Sequence, residues 1–219
     1  MIKAISFDAA NTLIRLTKSV GQHYASIGQR QGLELDPDAV DRVFGRIWKE
    51  SPVRPATEGG PRLDDDKGWW RELVEGVLDR VSARIDRPGR DRFFEAAYRL
   101  FAEPGVWALY PEVREVLEAL APRYELMVIS NFDGRLRRIF SHLSISQYFG
   151  HIFLSSELGV DKPDPLIFLR ALKSCGFAPH EVLHVGDDPV RDAAGAAEAG
   201  LATLHLDRPR TSLRDLLQL

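Results

Sequence analysis

Apolar positions along the chain follow two periods. IKAISF (residues 2–7), ELMVIS (125–130), HIFLSS (151–156), EVLHVG (181–186) and LATLHL (201–206) are short runs rich in β-forming residues, the pattern of strands buried on both faces. Helical segments lie between the later runs. REVLEALA follows Pro111, GRLRRIFSHL follows Asp133, and PLIFLRALKSC follows Asp164-Pro165, where aspartate can cap a helix and proline suits its first turn. Short strands alternating with helices predict an α/β fold, a Rossmann-like parallel sheet with right-handed crossovers.

Residues 17–103 carry no strand pattern and several amphipathic helices. Trp69, Trp70, Leu73, Val74, Val77, Leu78 and Val81 form one broad helical stripe. Phe93, Phe94, Ala97, Tyr98 and Phe101 form another, and Asp36-Pro37 opens a further helix. The Pro/Gly-rich SPVRPATEGGPR (51–62) reads as a long loop between the two halves. The expected organisation is a core of residues 1–16 and 104–219 with a helical domain, 17–103, inserted after the first strand.

Composition narrows the function classes. Net charge is −3 and no basic run occurs, so nothing motivates nucleic acid or a membrane surface as partner. Cys175 is the one cysteine, which excludes an intrachain disulfide and fits a reducing compartment. The chain begins directly on a strand-like run, and no apolar stretch approaches membrane-spanning length; a cytoplasmic protein is expected.

In open α/β sheets ligands bind beyond the carboxyl ends of the strands, and the polar residues of this chain gather there. Asp8 follows the first run, Ser130 and Asn131 the second, and Asp187 and Asp188 follow EVLHVG, with Asp192 in the next turn. Lys162 sits in GVDKPDP before a helix. Each has an ordinary reading as a turn, cap or solvated residue. Together they suggest a site, because carboxylates crowded near Asp8 repel one another unless a cation is present.

The ordered set FDAANTL, ISN, DKPDP and VGDDPVRDAAGAAEAG resembles the four motifs of the haloacid dehalogenase (HAD) superfamily, subfamily I, in which a helical cap is inserted after the first strand. KGWWRELV and ISNFDGRL resemble the branch that includes the rhythmically expressed fly protein. The resemblance implies that Asp8 is a nucleophile forming an aspartyl-phosphate. It implies Mg²⁺ held by Asp8, Asp187 and the backbone carbonyl of Ala10, with Asp188 or Asp192 behind them holding coordinated water. Ser130 and the Asn131 backbone N–H would bind phosphoryl oxygens, and Lys162 would neutralise charge. The expected ligand is a small phosphorylated molecule, with oligomeric state open. Substrate selection would fall to cap residues, for which Arg54, Lys49, Lys67, Trp69 and Trp70 are candidates, although the tryptophans also suit the cap's own core.

One position departs from the family pattern. Where family phosphatases carry a second aspartate, two residues after the nucleophile, this chain has Ala10, which cannot move a proton; neighbouring Asn11 orients water but does not titrate. General acid–base catalysis contributes about 10²–10⁴-fold, so the expected enzyme is slow or restricted to good leaving groups. Three alternatives share the gap: a phosphate or metabolite binder without turnover, a haloacid dehalogenase, and a phosphonoacetaldehyde hydrolase. The paired acids Asp187-Asp188 argue against metal-free dehalogenase chemistry, and Lys18, Lys49 and Lys67 lie outside the pattern expected for a hydrolase of the phosphonate type. His184, within a strand, reads as a packed histidine.

Overall fold

The five apolar runs form one parallel sheet. β1 (Ala4–Phe7), β4 (Glu125–Ser130), β5 (His151–Leu154), β6 (Val182–Gly186) and β7 (Ala202–His205) are ordered β5-β4-β1-β6-β7 in a computed structural model that describes residues 1–219. β1 is buried along its whole length, as a central strand covered on both faces requires. The chain passes from β1 to β4 and β5 on one side, then returns to β6 and β7 on the other. β1 is thus the topological switch point, where a crevice opens at the strands' carboxyl ends.

The chain divides into two compact units, the first made of Met1–Arg15, Val53–Asp65 and Ala108–Leu219, the second of Leu16–Pro52 and Asp66–Trp107. β2 (Ile14–Leu16) and β3 (Trp107–Leu109) pair as a separate two-stranded sheet. In the first unit the crossovers are α5 (Val113–Leu120), α6 (Arg135–His142), α7 (Ser155–Leu158), α8 (Leu166–Cys175) and α9 (Gly195–Glu198), the last preceded by a π-helical turn, Pro189–Ala194. α8 starts as its sequence predicts: the Asp164 side chain accepts the Leu166 N–H at 2.9 Å. Its Phe168 and Leu172 are buried against Met127, Ile129 and Val182 of the sheet, each such side chain contributing about 1.5–3 kcal/mol of apolar burial.

The Pro/Gly-rich loop belongs to this first unit. Thr57 donates its N–H to the Gly159 carbonyl at 2.8 Å and Arg62 to that of Ser156 at 2.7 Å. The buried Asp161 carboxylate takes two guanidinium groups, Arg54 from 2.7 and 2.8 Å and Arg62 from 3.1 and 3.3 Å. Gly159 sits at φ +67°, and a Cβ there would meet Thr57 Oγ1 at 2.0 Å, so only glycine both adopts this backbone and lets the loop approach. At the loop's end Asp65 accepts the Ser156 hydroxyl at 2.6 Å and the Gly134 N–H at 3.0 Å.

The second unit is a four-helix arrangement of α1 (Val20–Arg30), α2 (Pro37–Glu50), α3 (Lys67–Arg80) and α4 (Arg87–Leu100). Asp36 and Asp86 cap α2 and α4, each followed by proline in the first turn. The predicted stripe on α3 is buried: Leu73, Val74, Val77 and Leu78 join Tyr24 and Phe93 in its core. Trp69 and Trp70 pack on that core, and Trp70 stacks on Trp48 at 6.0 Å. No helix is long and apolar enough to cross a membrane.

Candidate active site

The carboxyl ends of β1, β4 and β6 converge with the loop before α8. Asp8 follows β1, and its Oδ1 accepts the Ser130 hydroxyl at 2.9 Å and the Lys162 ammonium at 2.6 Å. Both bonds fall on one oxygen, which leaves Oδ2 for attack or for a metal. Lys162, itself buried, also donates to Asp192 Oδ1 at 2.5 Å. Asp187, after β6, accepts the Thr12 hydroxyl at 3.4 Å. Oxygens of Asp8, Asp187 and Asp192 lie within 4.8 Å of one another.

The loop after Asp8 is tied through the carbonyls of Ala9 and Ile14, which accept the N–H groups of Leu13, Ile14 and Asn11. Asn11 takes φ +61°, a left-handed conformation that asparagine tolerates better than most residues. The carbonyl of Ala10 is not among the acceptors. The Ala10 side chain is a methyl group, which can neither donate nor accept a proton.

Charge in this cluster is unbalanced. With the acids ionised, three carboxylates face one ammonium. Two like charges 4.8 Å apart repel by about 3 kcal/mol even at an effective dielectric of 20. Burial therefore pushes the Asp8 carboxyl up, against the pull of Lys162 and with the repulsion of Asp192 and Asp187, to about 6. Asp187 is also raised, by burial first and then by Asp192. Burial by itself would raise Asp192 and lower Lys162, but their mutual attraction outweighs it in both: Asp192 is held below the ordinary carboxylate range and Lys162 above that of an amine. The excess negative charge is what a divalent cation would offset, and all-oxygen donors suit a hard cation.

The sequence candidates divide in the structure. Asp8, Ser130, Lys162, Asp187 and Asp192 come together. Asp188 turns away from the cluster to cap the π-helical turn, accepting the N–H groups of Val190 and Arg191 at 2.9 and 2.8 Å. The Asn131 side chain holds the Lys162 backbone, and the residue directly follows Ser130 at the end of β4. Sequence reasoning passed over Thr12 and Gly186. At Gly186 a Cβ would lie 2.2 Å from Asp192 Cγ, so glycine is what lets Asp192 fold back on the strand end. Thr12 sits inside the FDAANTL motif, four residues after Asp8, a signal visible only once that loop's path is known.

Strand-end carboxylates around a buried lysine, on a parallel sheet of this order, define a hydrolase of the haloacid dehalogenase-like type. The chain belongs to that family: the haloacid dehalogenase-like hydrolase model matches residues 2–200. It is 29% identical over 208 residues to haloacid dehalogenase-like hydrolase domain-containing protein 3 of Danio rerio, covering 94% of this chain and 86% of that one. It is also 29% identical over 209 residues to the Rhythmically expressed gene 2 protein of Drosophila melanogaster, covering 90% and 80%. Among solved structures, the magnesium-bound HAD-hydrolase YfnB of Bacillus subtilis superposes with a TM-score of 0.75 at 16% identity, covering 100% and 99%. That likeness is one of fold.

Proposed function

We propose that the protein is a Mg²⁺-dependent phosphohydrolase that works through an aspartyl-phosphate on Asp8 and is restricted to good leaving groups. The observation that carries this reading is the crowding of Asp8 with Asp187 and Asp192. A carboxylate pushed up to about 6 by burial, with added repulsion from Asp192 and Asp187, gains from a cation, whereas metal-free dehalogenation would leave that repulsion in place. Mg²⁺ between Asp8, Asp187 and the Ala10 carbonyl would neutralise and orient the phosphoryl oxygens.

Asp8 Oδ2 attacks phosphorus while the bond to the leaving oxygen breaks and the electron pair departs with that oxygen. Lys162 and Ser130, anchored on Oδ1, hold the carboxylate for in-line attack, and Lys162 lies beside the charge that develops. Water then attacks the phosphorus of the aspartyl-phosphate, and the bond to Asp8 breaks to release phosphate. At Ala10 no side chain protonates the leaving oxygen or activates that water. Acyl and aryl phosphates leave without a proton, whereas alkyl phosphates need one.

Ala10 also favours a second reading, a phosphate or metabolite binder without turnover. Steady-state turnover of acetyl phosphate and p-nitrophenyl phosphate, with Mg²⁺ or with chelator and with Asp8→Asn as blank, separates the two. Turnover that requires both Mg²⁺ and Asp8 supports the phosphohydrolase. Its absence in folded protein that binds Mg²⁺ supports the binder.

A further inference from the structure

A buried polar chain runs behind the site. Ser6 on β1 and His184 on β6 are direct partners in the parallel register, and both are almost fully buried. Ser6 Oγ lies 2.8 Å from His184 Nδ1, and His184 Nε2 lies 3.2 Å from Asp192 Oδ1. That same Oδ1 takes the Lys162 ammonium, while Asp192 Oδ2 takes the Asp188 N–H at 3.0 Å. Phe168 packs edge-on against the imidazole, with ring centroids 4.9 Å apart.

We propose that His184 is a positioning residue for the phosphohydrolase read above: held by Ser6, it fixes the Asp192 carboxylate that keeps Lys162 on Asp8. The ring's protonation pattern follows from its neighbours. A carboxylate can only accept, so Nε2 carries the proton and donates to Asp192. A second cation beside Lys162 in this buried space would be costly, so the ring is neutral, Nδ1 is bare, and the Ser6 hydroxyl donates to it. Serine in the middle of an otherwise apolar strand is thereby explained. The carboxylate selects the tautomer and the hydroxyl, donating to the bare Nδ1, fixes the plane in which the ring faces Asp192, a role outer hydrogen bonds commonly play behind functional carboxylates and imidazoles. With three donors on two oxygens, Asp192 has no freedom to swing toward Asp187, and Lys162 stays where Asp8 needs it.

The test uses variants that separate the two ring nitrogens. The amide nitrogen of His184→Gln reaches the position of Nε2, that of His184→Asn only the position of Nδ1, and His184→Phe keeps the shape with neither. The expected result is a kcat for p-nitrophenyl phosphate about 10–100-fold lower in the Asn and Phe variants at little-changed KM, with Gln within a few-fold of wild type. ¹⁵N-imidazole NMR of the wild-type protein should show the Nε2–H tautomer at His184, and Ser6→Ala should keep that tautomer while shifting the Nδ1 resonance, which loses its donor, and lowering kcat. An Nδ1–H tautomer, or Asn and Gln variants that behave alike, overturns the proposal. If the wild type turns nothing over, the phosphohydrolase reading fails separately. The positioning role is then decided by the Lys162 ammonium protons in ¹⁵N-lysine spectra. Slow exchange kept in His184→Gln and lost in His184→Asn supports it, and equal exchange in the two overturns it.

Discussion

Asn131 and Lys162 are joined by two reciprocal hydrogen bonds: Asn131 Nδ2 donates to the Lys162 carbonyl at 2.9 Å, and the Lys162 N–H donates to Asn131 Oδ1 at 2.7 Å. One amide thus ties the end of β4 to the loop that carries the lysine, in the way one peptide group pairs with another. Asn131→Asp replaces the donor with a second acceptor facing a carbonyl. The expected loss is about 1–3 kcal/mol of stability together with a fall in kcat, read by denaturant melts and turnover on the same preparations. A variant as stable and as active as wild type would show that the clamp does nothing for the site.

Restoring the missing acid is the most direct test of Ala10. Ala10→Asp should raise turnover of an alkyl phosphate such as glycerol phosphate by about 10²-fold or more, while p-nitrophenyl phosphate gains far less because its leaving group needs no proton. Equal gains on both substrates would mean that the limitation lies elsewhere.

Asp8→Asn should remove turnover and at the same time stabilise the metal-free protein. The substitution takes away a buried charge that Asp187 and Asp192 repel, and Lys162 keeps its partner in Asp192. A rise of about 1–2 kcal/mol in unfolding free energy is expected, visible as a higher Tm in chelator. Addition of Mg²⁺ should narrow or reverse the difference.

The raised Asp8 carboxyl sets a pH dependence with a definite sign. Its ordinary value is 3.8, and in the folded protein it is about 6. Between these values the folded state holds a proton that the unfolded state has released, so this group's contribution to stability falls as pH rises through that window. Mg²⁺ competes with the same proton. The Tm increase produced by Mg²⁺ should therefore be small near pH 5, grow through pH 6 and level off above 7. A Mg²⁺ effect independent of pH would place the ion away from Asp8.

Asp161 balances two guanidinium groups in the docked loop. Asp161→Ala leaves both Arg54 and Arg62 beside an emptied anion position and should cost about 3–5 kcal/mol. The Arg54→Ala and Arg62→Ala pair should be non-additive, since each arginine compensates the same carboxylate. Denaturant melts of the single and double variants measure the coupling, and strict additivity would argue against a shared anchor.

The sequence by itself determined the five strands of the sheet, because their apolar runs have no other stable home than a parallel layer covered on both faces. It also put Asp8, Ser130 and Asp187 at the carboxyl edge, since residues that end or follow buried parallel strands emerge there, and it showed alanine at position 10. What it left open was which acid faces which partner. Asp188 and Asp192 are equivalent on paper, and only the backbone path decides that one caps a helical turn while the other reaches Lys162 past Gly186. Ser6 and His184 look like minor breaks in two apolar strands until the register sets them side by side. The loop at 53–65 shows no period, and its docking depends on Asp161 and Gly159, about a hundred residues away. Periodicity reports which face of an element is buried; pairing between distant residues is settled by the register and crossovers of the folded sheet, which local pattern does not encode.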